Sequence, residues 1–321
     1  MIVVTGAAGF IGSCMVAKLN NEGHTDLLLV DDFSHADKRN NYADKKYAAL
    51  IERSVFLEYF KTNYAKIDFV IHLGARTNTA EFDTALLHEL NVSYTQHLFA
   101  LCTQHNIGII YASSAATYGL GEHGYDDDHS TVHQLVPLNP YGDSKQEVDE
   151  WVLAQAQKPY YWAGVKFFNV YGPNEYHKGR MASVIMHSYN QIKTTGEAKL
   201  FRSHNPNYSD GGQLRDFVYV LDVVNVLYHL MHYRKKSGLY NLGTGKAESF
   251  LTLAISVFKA LNLEPNISYI DTPIDIREKY QYYTQANISK LRTANYLQPF
   301  YSLEQGTIHY VQQYLQHNKY M

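Results

Sequence analysis

Five short runs in the first half of the chain, 2–5, 27–31, 67–73, 107–113 and 163–169, are too apolar to leave a solvent face. They are built largely from Val, Ile, Leu and aromatic residues, and the segments between them are long enough for crossover helices. That alternation predicts βαβ units and a doubly wound parallel sheet covered on both faces. Beyond Gly172 the pattern loosens. A helical period runs through 181–193, and a loop rich in Asn, Ser, Asp and Gly fills 204–213. The runs 217–220 and 238–241 read as strands returning to the main sheet, and 248–261 reads as a helix. The second unit is therefore expected to be small and assembled from non-contiguous segments.

Composition narrows the possibilities. With 45% hydrophobic and 18% charged residues in 321, the chain has no disordered character, and a net charge of -3 provides no basic face for nucleic acid. No apolar run approaches the roughly 18 residues that cross a bilayer. The N-terminus enters a strand with no secretory signal, so no membrane partner and a cytoplasmic location are expected. Cys14 and Cys102 lack ligand-spaced partners, which argues against a disulfide framework or a metal site and for small buried hydrophobes. The acidic run Asp126-Asp127-Asp128 reads as a solvated loop, with His123, His129 and His133 facing water. His72, at a strand end, reads as a packing or supporting residue.

Candidate chemistry begins at Gly6-Ala7-Ala8-Gly9-Phe10-Ile11-Gly12, directly after the first strand and opening a helix. Gly6 permits the tight turn, Gly9 lets backbone approach a pyrophosphate, and Gly12 allows close helix packing, while the helix N-terminus aims N–H groups at an anion. Asp31 and Asp32 follow about twenty residues on, at the end of the second strand, the context that separates a dinucleotide site from a chance glycine pattern. The fold expected is thus α/β, a Rossmann-type doubly wound parallel sheet with a smaller, non-contiguous α/β substrate-binding domain. Residues 1–170 with 216–243 and 281–299 are assigned to the former, and 171–215 with 244–280 and 300–321 to the latter. Asp31 suits the ribose of NAD, whereas Lys38 and Arg39 suit the 2′-phosphate of NADP. On these residues alone the choice stays open.

A second constellation pairs Tyr141 with Lys145, one helical turn apart and on one face. The ammonium is expected to lower the phenol's pKa and make Tyr141 a usable acid or base. Ser114 lies at the C-terminal end of a predicted central strand, where such sheets bind ligands, and can hydrogen-bond a substrate hydroxyl.

With the glycine turn, Ser114, Tyr141-x-x-x-Lys145 and Phe167-Phe168-Asn169-Val170-Tyr171-Gly172-Pro173, the chain resembles the extended short-chain dehydrogenase/reductase superfamily, whose members mostly act on nucleotide sugars. A narrower resemblance rests on four blocks. These are Tyr171 to Ser183, with its His177-Lys178-Gly179-Arg180-Met181-Ala182-Ser183; Arg215 to Val220; Asn241 to Phe250; and Tyr280-Gln281-Tyr282-Tyr283-Thr284-Gln285-Ala286. Over essentially the whole chain they look like the ADP-glyceromanno-heptose 6-epimerase family, which supplies heptose for the bacterial lipopolysaccharide core.

That resemblance implies one tightly held NADP per subunit rather than NAD. Lys38 would take the 2′-phosphate and Asp31 and Asp32 the ribose, with Phe10 and Ile11 at the pyrophosphate. Arg53 and the loop Ala75, Arg76, Thr77, Asn78 and Thr79 would line the cofactor, completed by Asn91, Lys145, Val170 and Lys178. Asn169, Arg180, His187, Phe201, Arg202, Ser203, His204, Arg215 and Tyr280 would face the ADP-heptose substrate. Arg215 also suits a diphosphate by its planar charge. The segment 201–204 departs from the family by carrying Arg and His where acidic or small residues are usual, and the loop before Arg215 is longer. The resemblance further implies a homo-oligomeric ring, a pentamer in the family pattern.

Epimerisation at C6 cannot start from simple proton abstraction, because that C–H has no adjacent carbonyl; transient oxidation and re-reduction answers this. Turning the ketone's other face moves its oxygen, which suggests two acid/base residues, Tyr141 for one epimer and Lys178 for the other. A UDP-sugar 4-epimerase would share the common motifs but leaves the His177-Lys178-Gly179 block without a purpose. A 4,6-dehydratase needs an Asp-Glu pair where Ala115-Ala116-Thr117 stands. A non-catalytic dinucleotide-binding regulator would have no need of Tyr141 and Lys145.

Overall fold

The structure, a computed structural model, describes residues 1–79, 81–277 and 280–321. Its strands in chain order are β1 (Ile2–Thr5), β2 (Leu27–Asp31), β3 (Ala49–Glu52), β4 (Phe69–His72), β5 (Gly108–Ser114), β6 (Trp162–Phe167), β7 (Asn169–Tyr171), β8 (Ala198–Phe201), β9 (Leu214–Arg215), β10 (Phe217–Tyr219), β11 (Gly238–Leu242), β12 (Glu248–Ser249) and β13 (Ile267–Ile270). A seven-stranded parallel sheet runs in the order β11-β6-β5-β4-β1-β2-β3. The order reverses between β1 and β4, and the crevice beyond the carboxyl ends of the strands at that reversal is where doubly wound sheets bind ligands. The expected fold class is the one found.

β1, β2 and β4 are buried at every position because helices cover both faces of the sheet. β3 was not among the expected strands. It lies at the sheet edge, where Ala49 and Ile51 are only half-buried and Leu50 and Glu52 are exposed, so its short run Ala49-Leu50-Ile51-Glu52 lacks the continuous apolar signal of the others.

The 217–220 run needs correction. β10 does not rejoin the main sheet; it pairs in parallel with β7 as a separate two-stranded ribbon, and Val220 already starts the next helix. The outer edge of β6 is taken by β11. After β6 the chain steps sideways, the Phe168 N–H bonding to Leu242 and the Asn169 N–H to Asp216, which brings β7 alongside β10. The helix expected over 248–261 is Phe250–Ala260, capped by the Ser249 hydroxyl, which accepts the Thr252 N–H; Glu248 and Ser249 form β12 against β9. The helix expected over 181–193 is Val184–Thr195, capped by Ser183 and preceded by the tighter turn Tyr176–Met181. Within the described residues no helix is long and apolar enough to cross a membrane.

Candidate active site

The glycine turn closes on the exit of β4. Gly6 has φ +66°, and a Cβ there would come within 2.7 Å of the Gly74 nitrogen; at Gly12 it would sit 2.0 Å from the Gly6 carbonyl oxygen. Gly9 caps the helix Phe10–Asn21 without a side chain, so the first-turn N–H groups are left for a ligand. Asp31 holds the turn to β2, accepting the Ala8 N–H at 2.9 Å and the Lys38 ammonium at 3.2 Å. Asp32 faces Arg53 at 3.4 Å.

Around these groups lies a cavity of about 500 Å³. Gly6, Gly9, Phe10, Ile11, Gly12, Asp31, Lys38, Arg53, Ala75, Arg76, Thr77, Asn78 and Lys178 line it, with His177 of the His177-Lys178-Gly179 block, and so do His35, Asp37 and Tyr94, which the sequence did not single out. A backbone cradle that any Cβ would fill, an uncapped helix N-terminus, and acidic groups beside cations at the adenosine end fit a nicotinamide dinucleotide. Lys178 reaches back over the start of the glycine-turn helix, its Nζ 5.2 Å from the Phe10 ring centroid.

Asp32, Thr79, Asn91, Lys145 and Val170, also expected at the cofactor, are not in the lining. Asn91 is buried and clamps Arg76 in both directions, accepting its N–H at 2.7 Å and donating to its carbonyl at 3.0 Å, while its amide also donates to Ser144 on the helix of Tyr141. His72 belongs to the same support. Its Nδ1 meets the Thr5 hydroxyl at 2.6 Å and its Nε2 the Thr95 hydroxyl at 2.9 Å. The Gly74 N–H donates to Thr5 and Thr95 donates to the Asn91 carbonyl, so the chain of bonds is complete only with a neutral imidazole carrying its proton on Nε2. Burial, with Lys145 nearby, pushes the His72 pKa down to about 3.

The helix Pro140–Ala154 begins at an Asn139 cap with proline in its first turn, and carries Tyr141 and Lys145 to the end of β5. The Ser114 hydroxyl hydrogen-bonds the Tyr141 phenol, which favours ionisation, yet burial is larger and raises the phenol's pKa. The expected lowering by Lys145 is therefore corrected. The ammonium lies 6.0 Å from the Tyr141 ring centroid and donates to the Ala112 carbonyl at 2.8 Å. Lys145 itself is lowered to about 8, by burial.

Behind this cluster Lys166 and Asp149, both fully buried, pair at 2.7 Å. Asp149 also accepts from Ser113 at 2.6 Å and Tyr111 at 3.0 Å, and Lys166 donates to Thr117 at 2.7 Å.

Ser114 and Tyr141 open onto a second cavity of about 550 Å³, shared with Thr79, Phe82, Asn169, Arg215, Tyr280 and Gln281. Arg215 is buried between two rings, 5.7 Å from the Phe250 centroid and 5.5 Å from that of Tyr280, and donates to the Leu214 and Gln281 carbonyls. Arg180, His187 and residues 201–204 lie outside this lining. His187 contacts the Arg180 carbonyl at 3.3 Å, Arg202 faces Asp271 at 3.7 Å, the Ser203 N–H donates to Asp210 at 2.8 Å, and the His204 N–H meets the Tyr282 hydroxyl at 3.0 Å. Phe201 approaches Tyr280 edge-on with centroids 6.4 Å apart.

Two expectations for the acidic loop are corrected. Asp127 is buried and accepts the Asn241 N–H at 2.7 Å, and burial pushes its pKa up to about 6. His129 stacks on Trp162 and accepts the Leu239 N–H at 3.0 Å. Both tie this loop to β11, a tertiary contact that local polarity does not announce. Cys14 and Cys102 are buried and free.

Fold and cavities together have the form of a dinucleotide-binding enzyme scaffold with a second cavity at the end of β5. Residues 2–243 match the NAD dependent epimerase/dehydratase family. An ADP-L-glycero-D-manno-heptose-6-epimerase of Fusobacterium nucleatum is 48% identical over 325 residues, covering 98% of each chain, and one of Nitratidesulfovibrio vulgaris is 45% identical over 317 residues with the same coverage. Among solved structures, the Helicobacter pylori ADP-L-glycero-D-manno-heptose-6-epimerase superposes with a TM-score of 0.82 at 27% identity, covering 97% of this chain and 95% of that one. The chain belongs to the NAD dependent epimerase/dehydratase family and, within it, to the family of the ADP-L-glycero-D-manno-heptose-6-epimerases.

Proposed function

We propose that this protein epimerises ADP-D-glycero-D-manno-heptose to ADP-L-glycero-D-manno-heptose at C6, with NADP as its resident cofactor. The observation that carries the reading is the meeting of Ser114 and Tyr141 with Arg215 in one cavity, beside the dinucleotide cradle. When bound, the nicotinamide would supply the hydride acceptor and donor that a C6 carbon without an adjacent carbonyl requires. Ser114 orients the C6 hydroxyl and Tyr141 takes its proton. Lys145, fixed on Ala112, holds the helix end of that pair, and Arg215 holds the diphosphate. Lys178, from the cofactor side, handles the proton of the opposite epimer. Lys38 beside Asp31, and Arg53 beside Asp32, support a 2′-phosphate and hence NADP over NAD. Family resemblance supports a homo-oligomer acting in the cytoplasm on heptose for lipopolysaccharide core.

Incubating the purified protein with ADP-D-glycero-D-manno-heptose and following the C6 proton by NMR should show interconversion, and Tyr141→Phe should slow it at least about a hundredfold. No interconversion, with turnover of UDP-galactose instead, would select a 4-epimerase. Mass spectrometry of the cofactor released on denaturation should find NADP.

A further inference from the structure

Beside Lys178 lies a carboxylate that the chemistry above does not use. Glu175 is fully buried, and its oxygens accept the Ser183 N–H and the Ser183 hydroxyl, each at 2.6 Å, and the Gly172 N–H at 3.4 Å. Ser183 caps the helix Val184–Thr195 and Gly172 directly follows β7, so one side chain pins both ends of the segment 172–183. The Glu175 carbonyl also accepts the Lys178 N–H at 2.9 Å. Between the pinned ends the chain makes the turn Tyr176–Met181, from which Lys178 extends over Phe10.

The electrostatics run the same way. Burial favours the neutral form of each partner, lowering Lys178 and raising Glu175, and each opposes this in the other. Three donors on the Glu175 carboxylate add to its ionised form. The other titratable groups facing Glu175 are Cys14 from the helix Phe10–Asn21, Tyr310 from the helix Leu303–Gln313 and Tyr176 beside it. Burial raises all three, so they stay neutral near pH 7. Next to Lys178, burial likewise lowers His177 toward its neutral form.

We propose that Glu175 is a positioning residue for Lys178: its buried carboxylate fixes the 172–183 segment and keeps the Lys178 amine protonated over the glycine turn, ready to return a proton to the C6 oxygen of one epimer. This rests on the reading of Lys178 as the second acid/base group.

The test uses the holoenzyme with its lysines ¹³C-dimethylated, the Lys178 NMR signal being assigned by its loss in Lys178→Arg. In Glu175→Gln, Lys178 should titrate about one pH unit lower, a roughly tenfold loss of proton affinity. In the unmethylated variant kcat should fall about tenfold with KM for the ADP-heptose and cofactor content unchanged. Glu175→Asp keeps the charge but withdraws it by one methylene, so Lys178 should titrate between the two. Should the Gln variant not fold, the Asp variant decides alone, by a smaller shift in the same direction. A Lys178 titration unchanged from wild type, in a wild type that interconverts the ADP-heptoses, overturns the inference. A shifted titration in a protein that leaves them untouched keeps the Glu175–Lys178 coupling and removes the catalytic reading instead.

Discussion

Arg215 shows how much a single side chain can be asked to do. It is sandwiched between Phe250 and Tyr280 and spends two donors on backbone carbonyls, which leaves a pre-aimed planar cation facing the second cavity. A lysine keeps the charge but can neither stack in that slot nor present a fork. Arg215→Lys should therefore raise KM for the ADP-heptose by about 10- to 100-fold, about 1.4–2.7 kcal/mol of binding, with a smaller change in kcat. Unchanged KM in steady-state kinetics would move the diphosphate elsewhere. Gly12 is constrained differently, since the atom its Cβ would strike is backbone. Gly12→Ala should abolish cofactor retention, read as loss of the dinucleotide released on denaturation. The placement of the glycine turn and of Tyr141 with Lys145 was legible because spacing dictates it: a glycine at a fixed offset from a strand, or a lysine four after a tyrosine. The direction of the Tyr141 shift, the burial of Asp127 and the role of His129 were not, because each depends on what other segments place around the side chain.

At the scale of elements, the same distinction separates strands from their partners. Apolar runs announced the central strands, but where β10 pairs depended on β11 having already taken the edge of β6, a matter of competition among segments far apart in sequence. The element most responsible for holding the site is the helix Pro140–Ala154. Its Asp149 receives Lys166 from β6 and Ser113 and Tyr111 from β5, and Lys166 continues to Thr117, whose hydroxyl donates to the Ser114 carbonyl at 2.8 Å. Helix, two strands and the turn after Ser114 thus meet at one buried pair. Removing one partner strands the other charge in the core, so Asp149→Asn should cost about 3–5 kcal/mol in urea unfolding. The double variant Asp149→Leu, Lys166→Met removes both charges and should recover a large part of that loss, with the Ser113 and Tyr111 hydroxyls left to account for the remainder. If the double variant is no more stable than the single, the pair is stabilising in its own right and not merely costly to break.

For the whole molecule, buried titratable groups set opposing dependences of stability on pH. His72, held neutral with a pKa of about 3, binds its proton more readily when unfolded. Its contribution is therefore present above its ordinary value near 6.5 and is lost as pH falls toward 3. Half-buried His129, lowered to about 4 chiefly by burial, acts in the same direction with a smaller weight. Asp127 and Asp222 run the other way. Burial raises both to about 6, so the folded protein binds their protons more tightly, and the stability they give below their ordinary range is lost as pH rises to 6. Each fully buried group can contribute a slope of at most about 1.4 kcal/mol per pH unit. Between pH 4 and 6 the two histidines and the two carboxyls nearly cancel, so the unfolding free energy attributable to them should be almost flat there and fall below pH 4, where His72 still titrates. Asp127→Asn retains an oxygen to accept the Asn241 N–H but removes one of the opposing slopes. Its stability relative to wild type should therefore rise between pH 4 and pH 6, by up to about 3 kcal/mol, in urea unfolding at pH 4, 5 and 6. A difference that stays constant with pH, or shrinks, would mean that Asp127 is ionised in the folded protein throughout that range, and that the loop it anchors to β11 is held by its charge.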